Sequence, residues 1–171
     1  MIKIKTKYIY IIAILIIVII ILIINNIHKR SNKNIEISNI KHLSFSYSTG
    51  YHMNARVRYE IDYKDKEYTA VIIPNEIPEE DKLEVKIEEK DIKKIIAVLK
   101  KYHVSKWNGF DKVDKNVLDG NSFSFYLRMQ DDNKMEASGY MKWPEDYGKV
   151  RSELDSIFMD IYDKNGGKKY E

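Results

Sequence analysis

The feature that most constrains this chain is an uncharged run over residues 9–24, in which fourteen of sixteen residues are Ile, Leu or Val. At 1.5 Å per residue, a helix of this length spans about 24 Å, so flanking residues must help to cover a hydrocarbon core of about 30 Å. Each Ile, Leu or Val contributes roughly −0.3 to −0.6 kcal/mol to insertion, which sums to about −4 to −8 kcal/mol. The run predicts a single N-terminal transmembrane helix within an anchor over residues 1–27, which contacts the membrane through residues 8–27.

A cleaved signal peptide is the alternative explanation of the same run. Cleavage requires small residues after a shorter apolar core, whereas this run ends in IINNIHKR with no A-x-A pattern nearby. The chain also has no cysteine, so it cannot carry a lipid-modified one. These observations favour an uncleaved anchor.

The orientation of the anchor is less constrained by the sequence. Three lysines precede the run, and three basic residues follow it within residues 29–33, so the positive-inside rule gives a near tie. A short basic start before an apolar run is typical of a signal anchor. We therefore expect a single-pass protein of the cell membrane with its C-terminal domain outside the cytoplasm. The tie leaves a cytoplasm-facing single-span regulator as an alternative.

The net charge of the chain is informative once it is divided. The three lysines before the run account for the whole value of +3, because residues 28–171 contain 26 basic and 26 acidic residues. A neutral domain offers no electrostatic attraction to a phosphate backbone. We therefore predict no nucleic-acid partner.

Residues 35–163 are enough for one domain with its own core. Residues 28–34 are polar and typical of a linker, and residues 164–171, which contain two adjacent glycines, predict a flexible tail. Alternating apolar residues predict five strands, and apolar residues at i, i+3, i+4 and i+7 predict two helices. The strands cover about 42–49, 54–63, 68–74, 122–130 and 134–142, and a further short extended segment covers 83–87. One helix begins near residue 89, and the other covers about 145–163. The pattern predicts an α+β extracytoplasmic domain, monomeric, with an antiparallel sheet of about five strands and both helices packed on one face.

Residues that perform catalysis or bind metals form no recognisable pattern. The four histidines include no pair at i, i+3 or i, i+4, and the acidic stretch 111–120 lacks the spacing of a calcium loop. There is no G-x-S-x-G motif, and no glycine-rich loop precedes a helix. We therefore predict no catalytic residue, no cofactor and no metal.

Aromatic residues are the stronger functional signal. The chain has thirteen tyrosines, and tyrosine combines apolar area with a hydroxyl group that suits contact surfaces. The alternative is that tyrosine is simply a good strand residue. The possible partner contacts are Trp107, Tyr140 and Trp143.

The stretch ASGYMKWPEDY, residues 137–147, predicts the joint between the last strand and the last helix. Gly139 lies on the expected core face and would leave room for a helix to lie close. Pro144 suits a first helical turn, where its missing N–H is not needed. Tyr140 and Trp143 are the residues of this stretch that could contact a partner, and Trp143 lies at the joint itself.

The blocks W-x-G-F, L-D-G-x-S-F and A-S-G-Y followed by P-x-x-Y lie within residues 106–158. This half of the chain resembles an uncharacterised family of small extracytoplasmic proteins of anaerobic bacteria, which includes lipoproteins and single-span proteins. The chain departs from the lipoproteins because it has no anchoring cysteine. The resemblance implies an extracytoplasmic, membrane-anchored protein and carries over no catalytic residue.

Together these features predict a membrane-tethered extracytoplasmic module that binds a protein, a peptide or a cell-wall component. The alternatives are the cytoplasm-facing regulator and an enzyme of unrecognised type. A deep pocket with convergent His and Asp or Glu side chains would favour the enzyme.

Overall fold

The computed structural model describes residues 10–22, 35–48 and 56–168. The chain divides into two compact units, residues 1–34 and 35–171. In the first unit, the described residues 10–22 form a helix, α1, whose side chains are exposed. No helix within the described residues is both long enough and apolar enough to cross a membrane. The remainder of the predicted anchor and the predicted linker over residues 28–34 lie outside the described residues.

The second unit is an α+β fold with a mostly antiparallel sheet. Its described residues form seven strands in the order β4-β3-β2-β1-β6-β7-β5. Every neighbouring pair is antiparallel except β5 and β7, which are parallel. The strands are β1 (Ile40–Ser48), β2 (Arg56–Lys64), β3 (Glu67–Ile73), β4 (Leu83–Ile87), β5 (Phe110–Val113), β6 (Ser122–Met129) and β7 (Lys134–Tyr140).

The five strands predicted from alternation are confirmed, and their ends agree within about two residues wherever the structure describes them. The predicted number of strands is wrong, because the described sheet has seven strands rather than about five. The short segment 83–87 pairs with β3 as the edge strand β4. β5 lies in the stretch that the sequence predicted as an irregular connection, and it pairs with β7 from Phe110 against Ala137 to Val113 against Tyr140. Only Phe110 of this strand is partly buried, so no alternation marks it in the sequence.

One face of the sheet and two helices form the core. The helices are α2 (Glu89–Lys101) and α3 (Tyr147–Lys164), and their buried side chains join those of the sheet in a single cluster. Tyr59 of β2 stacks on Phe158 of α3 with ring centroids 4.3 Å apart. The alternating apolar residues of β1, β2, β6 and β7 therefore point toward the helices, and the intervening polar residues line the opposite face.

The joint between β7 and α3 differs from its prediction in two details. α3 begins at Tyr147 rather than near residue 145, because Asp146 adopts a left-handed conformation with φ 57° and ends the preceding segment. Pro144 therefore lies before the helix, where its carbonyl accepts a hydrogen bond from Tyr147 N. The space beside Gly139 is filled by the Lys142 carbonyl and a neighbouring ring, not by a closely packed helix.

The two ends of the sheet carry different parts of the chain. At one end, β1 begins at Ile40 opposite Met129, directly after the second unit starts. At the other end, Ser48 pairs with Ser122, which also pairs with Tyr140 at the end of β7. The joint to α3 follows Tyr140, so this second end positions the candidate site described below. After α3, Tyr162 Oη donates to Lys168 O at 2.8 Å, which ties residues 165–168 to the helix end.

Candidate binding groove

A groove of about 600 Å³ opens at the end of the sheet where β1 ends, β6 begins and α3 starts. Its lining combines aromatic, hydroxyl and charged side chains: Tyr47, Ser48, Asn121, Ser122, Trp143, Pro144, Asp146, Tyr147, Gly148, Lys149 and Arg151.

The wall of the groove is aromatic. Trp143 stacks on Tyr147 with ring centroids 4.7 Å apart and an interplanar angle of 20°. Phe123 lies behind both, 5.6 Å from Trp143 and 4.7 Å from Tyr147. Tyr147 is buried, and desolvation raises its pKa above the ordinary value. Trp143 nevertheless remains 38% exposed, so a flat apolar face is available to a ligand.

Opposite charges compensate each other on one side of the groove. Lys149 Nζ lies 2.8 Å from Asp146 Oδ1, three residues earlier. On the sheet side, the hydroxyls of Ser48 and Ser122 form a hydrogen bond of 2.7 Å between neighbouring strands. These groups can donate to and accept from a polar ligand at little cost in rearrangement, because a hydroxyl hydrogen rotates freely.

A half-buried polar cluster lies beneath Arg151. Tyr47 Oη donates to Asp155 Oδ1 at 2.8 Å, and the Tyr59 hydroxyl bonds the same carboxylate. Burial raises the pKa of Asp155, while the two tyrosine hydroxyls and the Arg151 charge act in the opposite direction. Burial also raises the pKa values of both tyrosines, and the carboxylate adds to that effect. Both hydroxyls therefore stay protonated and serve as donors at neutral pH.

Arg151 itself lies over the ring of Tyr47, with its guanidinium carbon 5.2 Å from the ring centroid. Its Nε is 4.0 Å from Asp155 Oδ2, beyond hydrogen-bond distance. The aromatic ring and the distant carboxylate thus hold the guanidinium without occupying its donors.

The three residues predicted as partner contacts do not come together. Trp107 is 2% exposed and donates its indole N–H to Glu145 O at 3.0 Å, so it packs behind the groove. Tyr140 lies at the end of β7 and donates to Leu118 O at 2.7 Å, which ties the loop between β5 and β6 to β7. Trp143 alone of the three lines the groove.

Arg151 and Asp155 were not predicted as members of the site. A signal for them exists, because Tyr147, Arg151 and Asp155 are spaced four residues apart and lie along one side of α3. The partner on β1, Tyr47, was assigned only to a strand by its alternation. Its meeting with α3 depends on how the helix packs across the sheet, and periodicity does not specify that.

No protein-family model matches the chain, and no curated protein matches it either. The family resemblance of residues 106–158 stays a prediction. Within the described part of the chain, no three His, Asp or Glu side chains converge as ligands for a metal ion. The groove is therefore interpreted from its own geometry.

Proposed function

We propose that this chain is a membrane-tethered binding module and that residues 35–168 bind a ligand in the groove beside Trp143. The observation that carries the proposal is the exposed face of Trp143, stacked on Tyr147 and flanked by hydroxyl and charged groups. Tryptophan, tyrosine and arginine are the residues most often responsible for binding energy at contact surfaces. A groove lined by all three suits recognition of a protein, peptide or cell-wall partner.

The location of the groove in the second unit supports the proposal. The chain enters this unit before Ile40, and the groove begins at Ser48, the other end of β1. Strand residues rise about 3.3 Å each, so the two points lie about 26 Å apart along the sheet. A domain tethered through its N-terminal side therefore keeps its groove away from the point where the tether enters.

The tether is itself a proposal, which rests on the apolar run over residues 9–24. In the leading version, residues 1–27 remain as an uncleaved single-pass anchor and the binding domain lies outside the cytoplasm. The near tie of flanking basic residues favours one alternative, a regulator whose domain faces the cytoplasm. A C-terminal reporter that is active on only one side of the membrane distinguishes the two orientations.

Photo-crosslinking from within the groove tests the binding function. Gly148 is exposed in the groove lining, and a side chain built there would meet no atom within 4 Å. We expect p-benzoylphenylalanine in place of Gly148 to capture a partner in native membranes, and Trp143→Ala to abolish the capture. The same photoreactive residue in place of the exposed Lys93 on α2 is the control. Equal capture from both positions, or none from position 148, would refute the proposal.

A further inference from the structure

Arg151 has hydrogen-bonding capacity that the described residues do not use. Its side chain is 43% exposed, and its Nε is buried without a hydrogen-bond partner. The nearest carboxylate, that of Asp155, is too distant to accept from it and already accepts from the Tyr47 hydroxyl. The buried Nε is out of reach of a ligand, but the terminal nitrogens of this partly exposed guanidinium make no hydrogen bond to the described residues and can bind a carboxylate through two parallel N–H···O bonds.

Arg58 also has a buried Nε without a hydrogen-bond partner, so the feature that distinguishes Arg151 from Arg58 and Arg128 is the absence of a carboxylate bonded to its guanidinium. Arg128 donates to Asp132 through Nε at 3.1 Å and also lies 2.9 Å from it through Nη2. Arg58 donates through Nη2 to Glu79 at 2.5 Å. Both carry a directly bonded carboxylate at the surface, whereas the guanidinium in the groove does not.

The chain offers few carboxylates that could fill this position from outside the described residues. Residues 49–55, which follow Ser48 directly, have the sequence TGYHMNA and contain no acidic residue. Among all residues that the structure does not describe, only Glu171 is acidic. Within the groove, Asp146 is paired with Lys149. A carboxylate bound to Arg151 would therefore come from another molecule.

Exposed apolar side chains lie in segments that meet near the end of β7, and one of them, Trp143, lines the groove. In the described residues of the second unit, three large apolar side chains are exposed: Val113 at 58%, Leu118 at 94% and Trp143 at 38%. Val113 pairs with Tyr140 in the sheet, and Leu118 O accepts the Tyr140 hydroxyl. The segments that carry all three therefore meet at the end of β7.

We propose that the groove binds an acidic polypeptide segment, with a carboxylate on Arg151 and an adjacent apolar side chain against Trp143. This inference rests on the proposed binding function and names its ligand class. A guanidinium beside the exposed ring of Trp143 suits a carboxylate next to an apolar side chain, a combination that Asp- or Glu-containing polypeptides supply and a neutral glycan does not. The charges around the apolar residues have both signs, with Lys112 and Lys115 close in sequence to Asp111 and Asp114, and such a mixture gives no general attraction to an anionic lipid surface.

The test measures binding of the purified full chain, in detergent micelles, to an array of blocked octapeptides that combine apolar residues with Glu. Each peptide has a partner in which Gln replaces Glu. We expect retained peptides to contain both residue types, and the Gln partners to bind about tenfold to a hundredfold more weakly. Retention of no peptide, or equal binding of the matched pairs, would overturn the inference without any variant of the protein.

Variants then assign the carboxylate to its site. Arg151→Gln should reduce binding of the Glu peptides to the level of the Gln peptides, and Arg151→Lys should restore part of it. Arg128→Gln, at the other end of β6, is the matched control and should bind as the parent does. Equal loss in the control, or none in Arg151→Gln, would contradict the assignment. If crosslinks from position 148 capture a glycan instead, the binding function stands and this inference fails; if they capture nothing, the binding function fails.

Discussion

A single methyl group added at Gly139 should destabilise the domain, whereas the same addition at Gly148 should not. A Cβ built at Gly139 would lie 2.1 Å from the Lys142 carbonyl oxygen and 2.6 Å from a ring carbon of Phe123. The first of these atoms belongs to the backbone and cannot rotate away. The segment after β7 would have to move by about 1 Å to restore ordinary contact.

The expected magnitude follows from the kind of atom displaced. Overpacking in a well-filled interior destabilises a protein by about 1–3 kcal/mol. Replacing glycine with alanine stabilises by about 0.4–1 kcal/mol, because it reduces the conformational entropy of the unfolded chain. Gly139→Ala should therefore lower the free energy of unfolding by about 1–2 kcal/mol, which corresponds to roughly 3–10 °C in Tm for a domain of this size. Gly148 lies in the first turn of α3 with open space around it, so alanine there should stabilise by up to about 1 kcal/mol.

Urea denaturation of the purified chain, followed by tryptophan fluorescence and far-UV circular dichroism, measures both changes. The pair is matched in chemistry and differs only in surroundings. The reasoning is refuted if Gly139→Ala unfolds at the parent's urea concentration, or if Gly148→Ala is destabilised to the same extent.

Three further predictions concern the core, the tether and the buried carboxyl. Trp107→Phe removes the indole donor to Glu145 O and should cost about 2 kcal/mol in the same urea assay; an unchanged midpoint would contradict the contact. Lysine at both Ile17 and Ile20 should add about 6–8 kcal/mol to the free energy of insertion and move the chain out of the membrane fraction, whereas Ile17→Lys alone should not. Burial raises the folded-state pKa of Asp155, so the folded state holds this proton more tightly than the unfolded chain does. The carboxyl's contribution to stability is then largest below its ordinary pKa of 3.8 and falls as pH rises through the raised pKa of the folded state. The difference in unfolding free energy between the parent and Asp155→Asn should therefore fall across that pH interval. A difference that does not change with pH would contradict the assignment.

Local periodicity was enough to predict most of the fold. Leu43, Phe45 and Tyr47 alternate with serines, and this pattern alone determines which side of β1 faces the helices. The apolar spacing after residue 89 likewise predicts the start of α2, which is confirmed. Such elements could be found because each carries its own burial pattern within a few residues.

The elements that were missed depend on distant partners. β5 has four residues, of which only Phe110 is partly buried, and it is a strand because β7 lies beside it in parallel. The groove was missed for the same reason, since Tyr47 and Arg151 are 104 residues apart and meet only when α3 crosses the end of β1. Trp143 was found because its position at a joint is visible in the sequence, but its stacking partner and the charge beside it were not.

The backbone around Trp143 suggests why this side chain is held at the surface. Met141 adopts φ 52° and Asp146 φ 57°, so two non-glycine residues in the left-handed region bracket the tryptophan. Each such residue costs of order 1 kcal/mol and persists only where the surroundings determine it. Here the Lys142 carbonyl packs directly against Gly139, and the Trp107 bond to Glu145 O fixes the segment before α3. Trp143 lies between these two fixed segments, stacks on Tyr147 and leaves one face exposed to solvent. A side chain held in this way needs little ordering when a ligand binds, which is what preorganisation means for a contact residue.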